Sequence, residues 1–146
     1  MAVCAKDFMT KKVIKVDKSK NALAAAKLMA KTGVGSIVVV DRGKPVGIIT
    51  DRDIMVQVVA KGLKPSRVRV NKFMSRPLVT VTPDTPMIDV AKLMEEHGIR
   101  RVPVVARGKA VGIVTSTDVG KASKILAPYL LPRIPEIYLT PKKPSK

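Results

Sequence analysis

The chain has few aromatic and few acidic residues. Among its 146 residues there are two Tyr, two Phe and no Trp. Proteins that bind RNA or single-stranded nucleic acid usually stack the bases on aromatic side chains, so this scarcity argues against that class. Hydrophobic residues make up 46% of the chain. A sizeable core is therefore possible, but it must be aliphatic.

Cysteine and long apolar runs are also scarce. Cys4 is the single cysteine, so it cannot form a disulfide within the chain, and it has no neighbours at metal-ligand spacing. No apolar run approaches the ~20 residues of a membrane-spanning helix, and the N-terminus shows no signal-peptide pattern. We therefore expect a cytoplasmic protein with no membrane segment and no metal site.

The charge is strongly unbalanced towards basic residues. Lys and Arg number 28 against 11 Asp and Glu, which gives a formal net charge of +17. Such a surplus favours anionic partners, among them nucleotides, nucleic acid and acidic proteins. A solvated lysine-rich surface accounts for the same number equally well, so charge alone does not identify a partner.

The most informative feature is an internal repeat. Residues 8–53 recur as residues 73–118 at a constant offset of 65, with 18 identities in 46 positions. Such a repeat predicts the same supersecondary unit twice. Each copy predicts a short strand, a helix that ends at Gly33 or Gly98, a strand hairpin and a second helix. We predict an α/β (α+β) fold of two β-α-β-β-α repeats about a pseudo-two-fold axis, with a ligand site between them.

The predicted segments are residues 5–62 for the first repeat, 63–72 for a linker, 73–127 for the second repeat and 128–146 for a Pro-rich basic tail. Prolines from Pro128 onward are expected to exclude a regular helix there. Pro103 predicts an edge strand or a bulge. The remaining local predictions concern the first strand and the second helix of each repeat. The strands are predicted at Val13, Ile14 and Val16 and at Leu78, Val79 and Val81; the apolar helix stripes are Ile54, Met55, Val58 and Val59, and Val119, Ala122, Ile125 and Leu126.

The segments GSIVVVDRGKPVGIITDRD and GIRRVPVVARGKAVGIVTSTD resemble the CBS domain, and the resemblance covers about residues 5–126. It implies a tandem pair, or Bateman module, that binds adenine nucleotides or S-adenosyl compounds between its repeats and dimerises into a flat disc. No effector domain is visible, so the resemblance implies a stand-alone regulatory module that acts on a separate partner protein. AMP is the preferred ligand, with ADP, ATP and S-adenosylmethionine as alternatives.

Each repeat carries a Thr-x-x-Asp motif at a predicted strand-to-helix junction, Thr50–Asp53 and Thr115–Asp118. Spacing alone favours a capping box, in which the two side chains satisfy backbone N–H groups at the helix start. The resemblance instead implies that the threonine and the aspartate hold a ribose. Both roles can coexist because a carboxylate has two oxygens.

The resemblance implies two clefts, each with ribose contacts from one repeat and adenine contacts from the other. The first, here called the Asp53 cleft, is expected to use Ile48, Thr50 and Asp53, with Leu78 and Val79 beside adenine. The second, the Asp118 cleft, is expected to use Ile113, Thr115 and Asp118, with Val13 and Ile14 beside adenine.

Candidate phosphate ligands are unevenly distributed between the repeats. Arg100 and Arg101 begin a predicted strand where the first repeat has Gly35 and Ser36. Family members often place a basic residue at the Arg100 position, and guanidinium forks match phosphate geometry. Arg52 is assigned to the Asp118 cleft on the same grounds. Exposed ion-pairing arginines are the alternative for all three.

No catalytic constellation is present. There is no activated nucleophile, no paired base and no phosphate-loop lysine, and His97 stands alone near a predicted helix end. We therefore predict a binding protein and not an enzyme. The alternative function is a basic adaptor for nucleic acid or an acidic protein, which the net charge and the TPKKPSK end support.

Overall fold

The computed structural model describes residues 3–130 and the side chains of residues 3–125. Helices and strands alternate in an order that confirms the predicted α/β (α+β) class. The elements are α1 (Ala5–Phe8), β1 (Lys15–Asp17), α2 (Ala22–Thr32), β2 (Ser36–Asp41), β3 (Lys44–Thr50), α3 (Asp51–Ile54) with a π-helical continuation Met55–Val59, 3₁₀ turns at Pro65–Arg67 and Val70–Lys72, α4 (Met87–His97), β4 (Arg101–Ala106), β5 (Lys109–Thr115) and α5 (Ser116–Leu130).

The first repeat forms a three-stranded sheet. β1 pairs in parallel with β2, and β2 pairs antiparallel with β3. The helix α2 begins behind Asn21, whose side chain accepts a hydrogen bond from the Ala24 N–H at 2.8 Å. It ends at Gly33, where φ is 72°, a backbone conformation that glycine adopts without steric cost. The predicted helix stop is therefore confirmed.

The second repeat lacks the equivalent of β1, so the strand predicted over Leu78–Val81 is wrong. Only a parallel bridge between Val81 and Val104 remains. In the first repeat the Val38 N–H donates to the Ile14 carbonyl at 3.0 Å. Pro103 occupies the position equivalent to Val38 and has no N–H to donate, so the matching ladder bond cannot form.

Each hairpin contains a bulge. The register shifts between Val39 and Val40 in the first repeat and between Val104 and Val105 in the second. A bulge near Pro103 was predicted, but its presence at the equivalent place in the first repeat shows that proline is not its cause. The effect of Pro103 is instead that the second repeat has no strand equivalent to β1.

The segment at the start of each repeat packs into the core of the other repeat. Ala5 is fully buried in the core of the second repeat, with Met9 packed on it. Val70 is fully buried in the core of the first repeat, with Phe73 and Met74 packed against it. The chain leading into each repeat therefore completes the core of the other repeat.

The predicted apolar stripes of the second helices are only partly correct. Ile54 and Val58 are buried, as predicted, but Met55 and Val59 are 51% and 60% exposed. Ile54 and Val58 are four residues apart and share one helix face, while Met55 and Val59 lie on another. Ile125 of α5 is likewise 53% exposed, and the side chain of Leu126 falls outside the described residues.

The prediction that prolines exclude a helix from Pro128 onward is wrong for the first three residues. Helix α5 continues through Pro128 to Leu130. The rest of the predicted tail, residues 131–146, lies outside the described residues. Within the described part of the chain, no helix is both long and apolar enough to cross a membrane.

Candidate functional site

The first Thr-x-x-Asp motif forms a capping box at the end of β3. The Thr50 N–H donates to Asp53 Oδ2 at 2.9 Å, and the Asp53 N–H donates to Thr50 Oγ1 at 3.1 Å. Both residues are half-buried. The box fixes the start of α3 and holds both side chains at the strand-to-helix junction.

The second motif repeats this arrangement at the end of β5. The Thr115 N–H donates to Asp118 Oδ2 at 2.8 Å, the Asp118 N–H donates to Thr115 Oγ1 at 3.3 Å, and the Thr115 hydroxyl donates to the same Oδ2 at 3.1 Å. In both boxes only Oδ2 is used. Among the described residues no donor reaches Oδ1 of either aspartate, so each carboxylate keeps an oxygen that can accept from a ligand hydroxyl. Capping is thus confirmed in a form that is compatible with ribose binding, which stays a prediction.

Backbone bridges bring the other repeat to each motif. The Ser75 N–H donates to the Ile48 carbonyl at 2.9 Å, which sets Leu78 and Val79 three and four residues beyond the contact. The segment that leads into the second repeat therefore runs beside the strand that ends at Thr50. The predicted residues of the Asp53 cleft, including Leu78 and Val79, are all half-buried.

The Asp118 cleft is assembled in the same way. The Thr10 N–H donates to the Ile113 carbonyl at 2.9 Å, and the Ile113 N–H donates to the Thr10 carbonyl at 3.0 Å. Val13 and Ile14 follow this bridge and are half-buried, as are Ile113, Thr115 and Asp118. The structure thus brings the segment that precedes each predicted adenine-contact pair to the strand that ends at the opposite Thr-x-x-Asp motif, and the grouping of the full residue sets around a ligand stays a prediction.

The predicted phosphate ligands differ in position. Arg101 reaches across to the first repeat: a methyl group added at Gly35 would lie 3.0 Å from Arg101 Nη2 and 3.3 Å from Asp51 Oδ2. Arg101 is half-buried, whereas Arg100 and Arg52 are exposed. None of the three makes an ion pair within 4.0 Å of a carboxylate in the described part of the chain.

Sequence reasoning missed Asp51 as a neighbour of Arg101. The aligned repeats held a usable signal, because Gly35 stands where the second repeat has Arg100. Because Gly35 has no side chain, a long side chain from the other repeat can occupy the space beside it. Only the tertiary structure shows that this side chain is Arg101.

A surface cavity of about 410 Å³ lies on the second repeat, and none of the predicted site residues lines it. It opens beside the segment that has lost its strand pairing. Its lining residues are Thr80, Val81, Thr82, Thr85, Asp89, Leu93 and Val105.

Metal-ligating side chains are not grouped in the described part of the chain. No cluster of three or more His, Cys, Asp or Glu residues is found in the range 3–125. His97 is exposed at the end of α4.

Comparison with known proteins assigns the family. The family model of the CBS domain matches residues 5–60 and 70–124. The chain belongs to the CBS domain family. Its two repeats are a tandem CBS pair, which confirms the resemblance drawn from the sequence.

Several relatives in this family are similar over most of the chain. An uncharacterized protein of Methanopyrus kandleri is 39% identical over 126 residues, which cover 85% of this chain and 62% of that protein. This chain therefore spans less than two thirds of that relative's length. The CBS domain-containing protein YhcV of Bacillus subtilis is 39% identical over 113 residues, covering 77% of this chain and 80% of YhcV.

One of the similar solved structures carries ligands. It is the crystal structure of a CBS domain pair in complex with 5′-methylthioadenosine and S-adenosyl-L-methionine. The TM-score is 0.76 at 32% identity, and the match covers 85% of this chain and 98% of that one.

Proposed function

We propose that this chain is a cytoplasmic regulatory CBS module that binds adenine nucleotides, with AMP as the preferred ligand, and transmits their binding to a partner protein. One observation carries the proposal. Each repeat presents a half-buried Thr-x-x-Asp box with a free carboxylate oxygen, at the end of a strand that is bridged to a segment leading on to half-buried apolar residues of the other repeat. Vicinal ribose hydroxyls suit the free oxygen, and the apolar segment suits the adenine ring. The similar CBS pair bound to two adenosine compounds supports this ligand class.

A ligand held between two repeats can act as a regulator by linkage. Because its contacts come from both repeats, it stabilises the inter-repeat geometry that satisfies both sets. A partner that reads this geometry responds to the ligand without touching it. Catalytic chemistry is not part of the proposal.

Isosteric variants of the two aspartates test the ribose assignment. Asp53→Asn/Asp118→Asn keeps one side-chain oxygen for each cap but replaces the free carboxylate oxygen with an amide nitrogen. We expect AMP at a hundred times its dissociation constant to stabilise the wild type by about 2.7 kcal/mol in thermal unfolding, and the double variant to lose this gain. ADP, ATP and S-adenosylmethionine, titrated in parallel, rank the ligands.

The matched control is Glu95→Gln/Glu96→Gln, which removes two carboxylates from exposed positions of α4. It should bind AMP as the wild type does. Unchanged AMP binding by the aspartate double variant would contradict the ribose assignment.

We also propose that the module is a homodimer. Behind the buried Ile54 and Val58, the helix that follows β3 and the turn after it expose a second apolar surface, formed by Met55, Val56, Val59 and Leu63 at 38–60% exposure. Large apolar side chains that are exposed together on one segment often mark a protein–protein interface, and the resemblance to disc-forming CBS modules makes a second copy the expected cover. Val59→Asp should shift the sedimentation-velocity mass from dimer to monomer. Ala30→Asp, at an exposed position of α2, should leave the mass unchanged; a monomeric wild type would contradict the proposal.

A basic adaptor is the second candidate, because the linker folds into a basic surface. The Val70 N–H donates to the Lys20 carbonyl at 2.9 Å, which brings the linker alongside the start of α2. Lys20, Lys64, Arg67 and Arg69 are exposed there, and none has a carboxylate within 4.0 Å among the described residues.

Duplex DNA binding over a salt series tests this candidate. Four phosphate contacts would give a slope of log K against log salt of about −3.6. Charge reversal of these four residues should then abolish binding, and truncation after residue 130 measures the contribution of the tail. Duplex binding that is unaffected by the reversal, or absent from the wild type, would exclude this surface.

A further inference from the structure

The openings of the two clefts carry different charges. We define the opening of each cleft by three positions that are equivalent at the offset of 65: the residue before the first strand of the repeat's hairpin, the first residue of the helix after that hairpin, and a residue from the other repeat. In the Asp53 cleft these are Gly35, Asp51 and Arg101. In the Asp118 cleft the corresponding residues are Arg100, Ser116 and Ser36.

Backbone and side-chain contacts hold the first set together. The Asp51 N–H donates to the Gly35 carbonyl at 3.0 Å. Arg101 Nη2 and Asp51 Oδ2 both lie within 3.3 Å of the place that a Cβ on Gly35 would occupy. A guanidinium from the second repeat and a carboxylate from the first therefore share the space that glycine leaves open, and their formal charges cancel.

Asp51 also supplies the anion that the start of α3 attracts. Its Oδ1 accepts a hydrogen bond from the Arg52 N–H at 2.8 Å. A phosphate in this opening would be repelled by the Asp51 carboxylate. That carboxylate already accepts from the Arg52 N–H and lies near the Arg101 guanidinium, the two groups that could otherwise attract the phosphate. At separations near 6 Å, like charges at a protein surface repel by an amount that weakens binding about tenfold.

The second opening has no such carboxylate. The Ser116 N–H donates to the Arg100 carbonyl at 2.8 Å, so Arg100 stands directly at the start of α5. Ser116 replaces Asp51 with a neutral side chain, and no side chain accepts from the Thr117 N–H in the described part of the chain. The three positions carry a formal charge of +1 here, against zero in the first opening. The N-terminal end of a helix adds to the attraction for an anion.

We propose that the two clefts select adenosine ligands by the charge of the 5′ substituent. The Asp118 cleft takes a phosphorylated adenosine, with its phosphate on Arg100. The Asp53 cleft takes an adenosine with an uncharged 5′ substituent, such as a thioether. This assignment rests on the proposed function and refines it by giving each cleft its own ligand class.

Calorimetric titration of the single variants Asp53→Asn and Asp118→Asn with AMP and with 5′-methylthioadenosine tests the proposal. Each variant is the matched control of the other, because both remove the same atom from equivalent boxes; thermal unfolding confirms that each is folded. We expect Asp118→Asn to weaken AMP at least tenfold and to leave 5′-methylthioadenosine within about twofold. Asp53→Asn should do the reverse. Equal weakening of both ligands by either variant would overturn the proposal.

A transfer variant isolates the role of Asp51. Asp51→Ser gives the first opening the residue of the second, so Asp51→Ser/Asp118→Asn should regain AMP affinity by about tenfold over Asp118→Asn alone. The gain should vanish when Arg101→Gln is added. If Asp51→Ser/Asp118→Asn binds AMP no more tightly than Asp118→Asn does, the proposal is overturned, even where AMP binds the wild type.

Pyrophosphate separates this inference from the proposed function. If the wild type binds neither adenosine ligand, the proposed function fails, and pyrophosphate titration alone decides the charge assignment. Arg100→Gln should then weaken pyrophosphate, and Asp51→Ser should strengthen it. Wild-type indifference to pyrophosphate in that case, or no response to either substitution, would overturn the charge assignment as well.

Discussion

Gly47→Ala is the sharpest test of how the two repeats are joined. Gly47 lies in β3, where Met74 from the segment leading into the second repeat packs against it. A Cβ at Gly47 would meet Met74 Sδ at 2.5 Å, Cγ at 2.8 Å and Cβ at 3.2 Å. The thioether end could move aside, but Cβ and Cγ lie close to a backbone held by the bond from Ser75 to Ile48. Overpacking of this kind typically costs 1–3 kcal/mol.

The expected loss is about 2 kcal/mol, which for a chain of this size lowers the melting temperature by roughly 6 °C. Circular dichroism during heating and in urea measures it. Gly112→Ala should behave alike, because Gly112 packs against Met9 in the same way; its Cβ would lie 2.8 Å from Met9 Cγ. Gly120→Ala is the control: nothing lies within 4 Å of a Cβ there, so a gain of about 0.5–1 kcal/mol in helix propensity is expected.

A double-mutant cycle with Met74→Ala completes the test. Once Met74 is truncated, Gly47→Ala should cost little, so the two substitutions should be strongly non-additive. A Gly47→Ala variant that melts within 1 °C of the wild type, or costs that simply add, would refute the close packing of this joint. The joint precedes Leu78 and Val79 by three to five residues, so weaker binding of 5′-methylthioadenosine in the Asp53 cleft should accompany the loss of stability.

Two further substitutions test the local arguments about the fold. Pro103→Val restores the missing N–H, so hydrogen exchange should show a protected amide at position 103 and stability should rise by about 1 kcal/mol; an unprotected amide would mean that proline is not what removed the strand. Asn21→Ala removes the cap of α2 and the contact of Asn21 Nδ2 with the Ser66 carbonyl at 3.2 Å, so chemical denaturation should show a loss of about 1 kcal/mol. Ser19→Ala, at an exposed position nearby, should cost less than Asn21→Ala.

Much of the fold could be predicted from the sequence because residues 8–53 recur as residues 73–118. The offset of 65 gave the repeated unit, the glycine stop of α2 and both strand-to-helix junctions. Predictions failed where one copy departs from the other or where packing decides. Pro103 removed a strand that the repeat pattern implied, and Met55 and Val59 proved exposed because apolar character alone does not say which face of a helix meets the core.

The candidate site shows the same division. The Thr-x-x-Asp motifs and the segments around Leu78 and Val13 were predictable as residue sets, since local spacing and family resemblance define them. Their assembly was not, because the bridges from Ser75 to Ile48 and from Thr10 to Ile113 join residues far apart in the chain.

By itself, the sequence determined that two similar α/β units exist, that each starts its second helix with a capping box, and that cations are unevenly divided between them. These properties depend on residues a few positions apart, which is the range over which hydrogen-bond spacing and helical periodicity act. Only the tertiary structure decided that each leading segment completes the opposite core and that Arg101 lies beside Asp51 in the space left at Gly35. Those contacts depend on how the two units pack. The absence of a side chain at Gly35 leaves space, but the sequence does not say which side chain from the other unit occupies it.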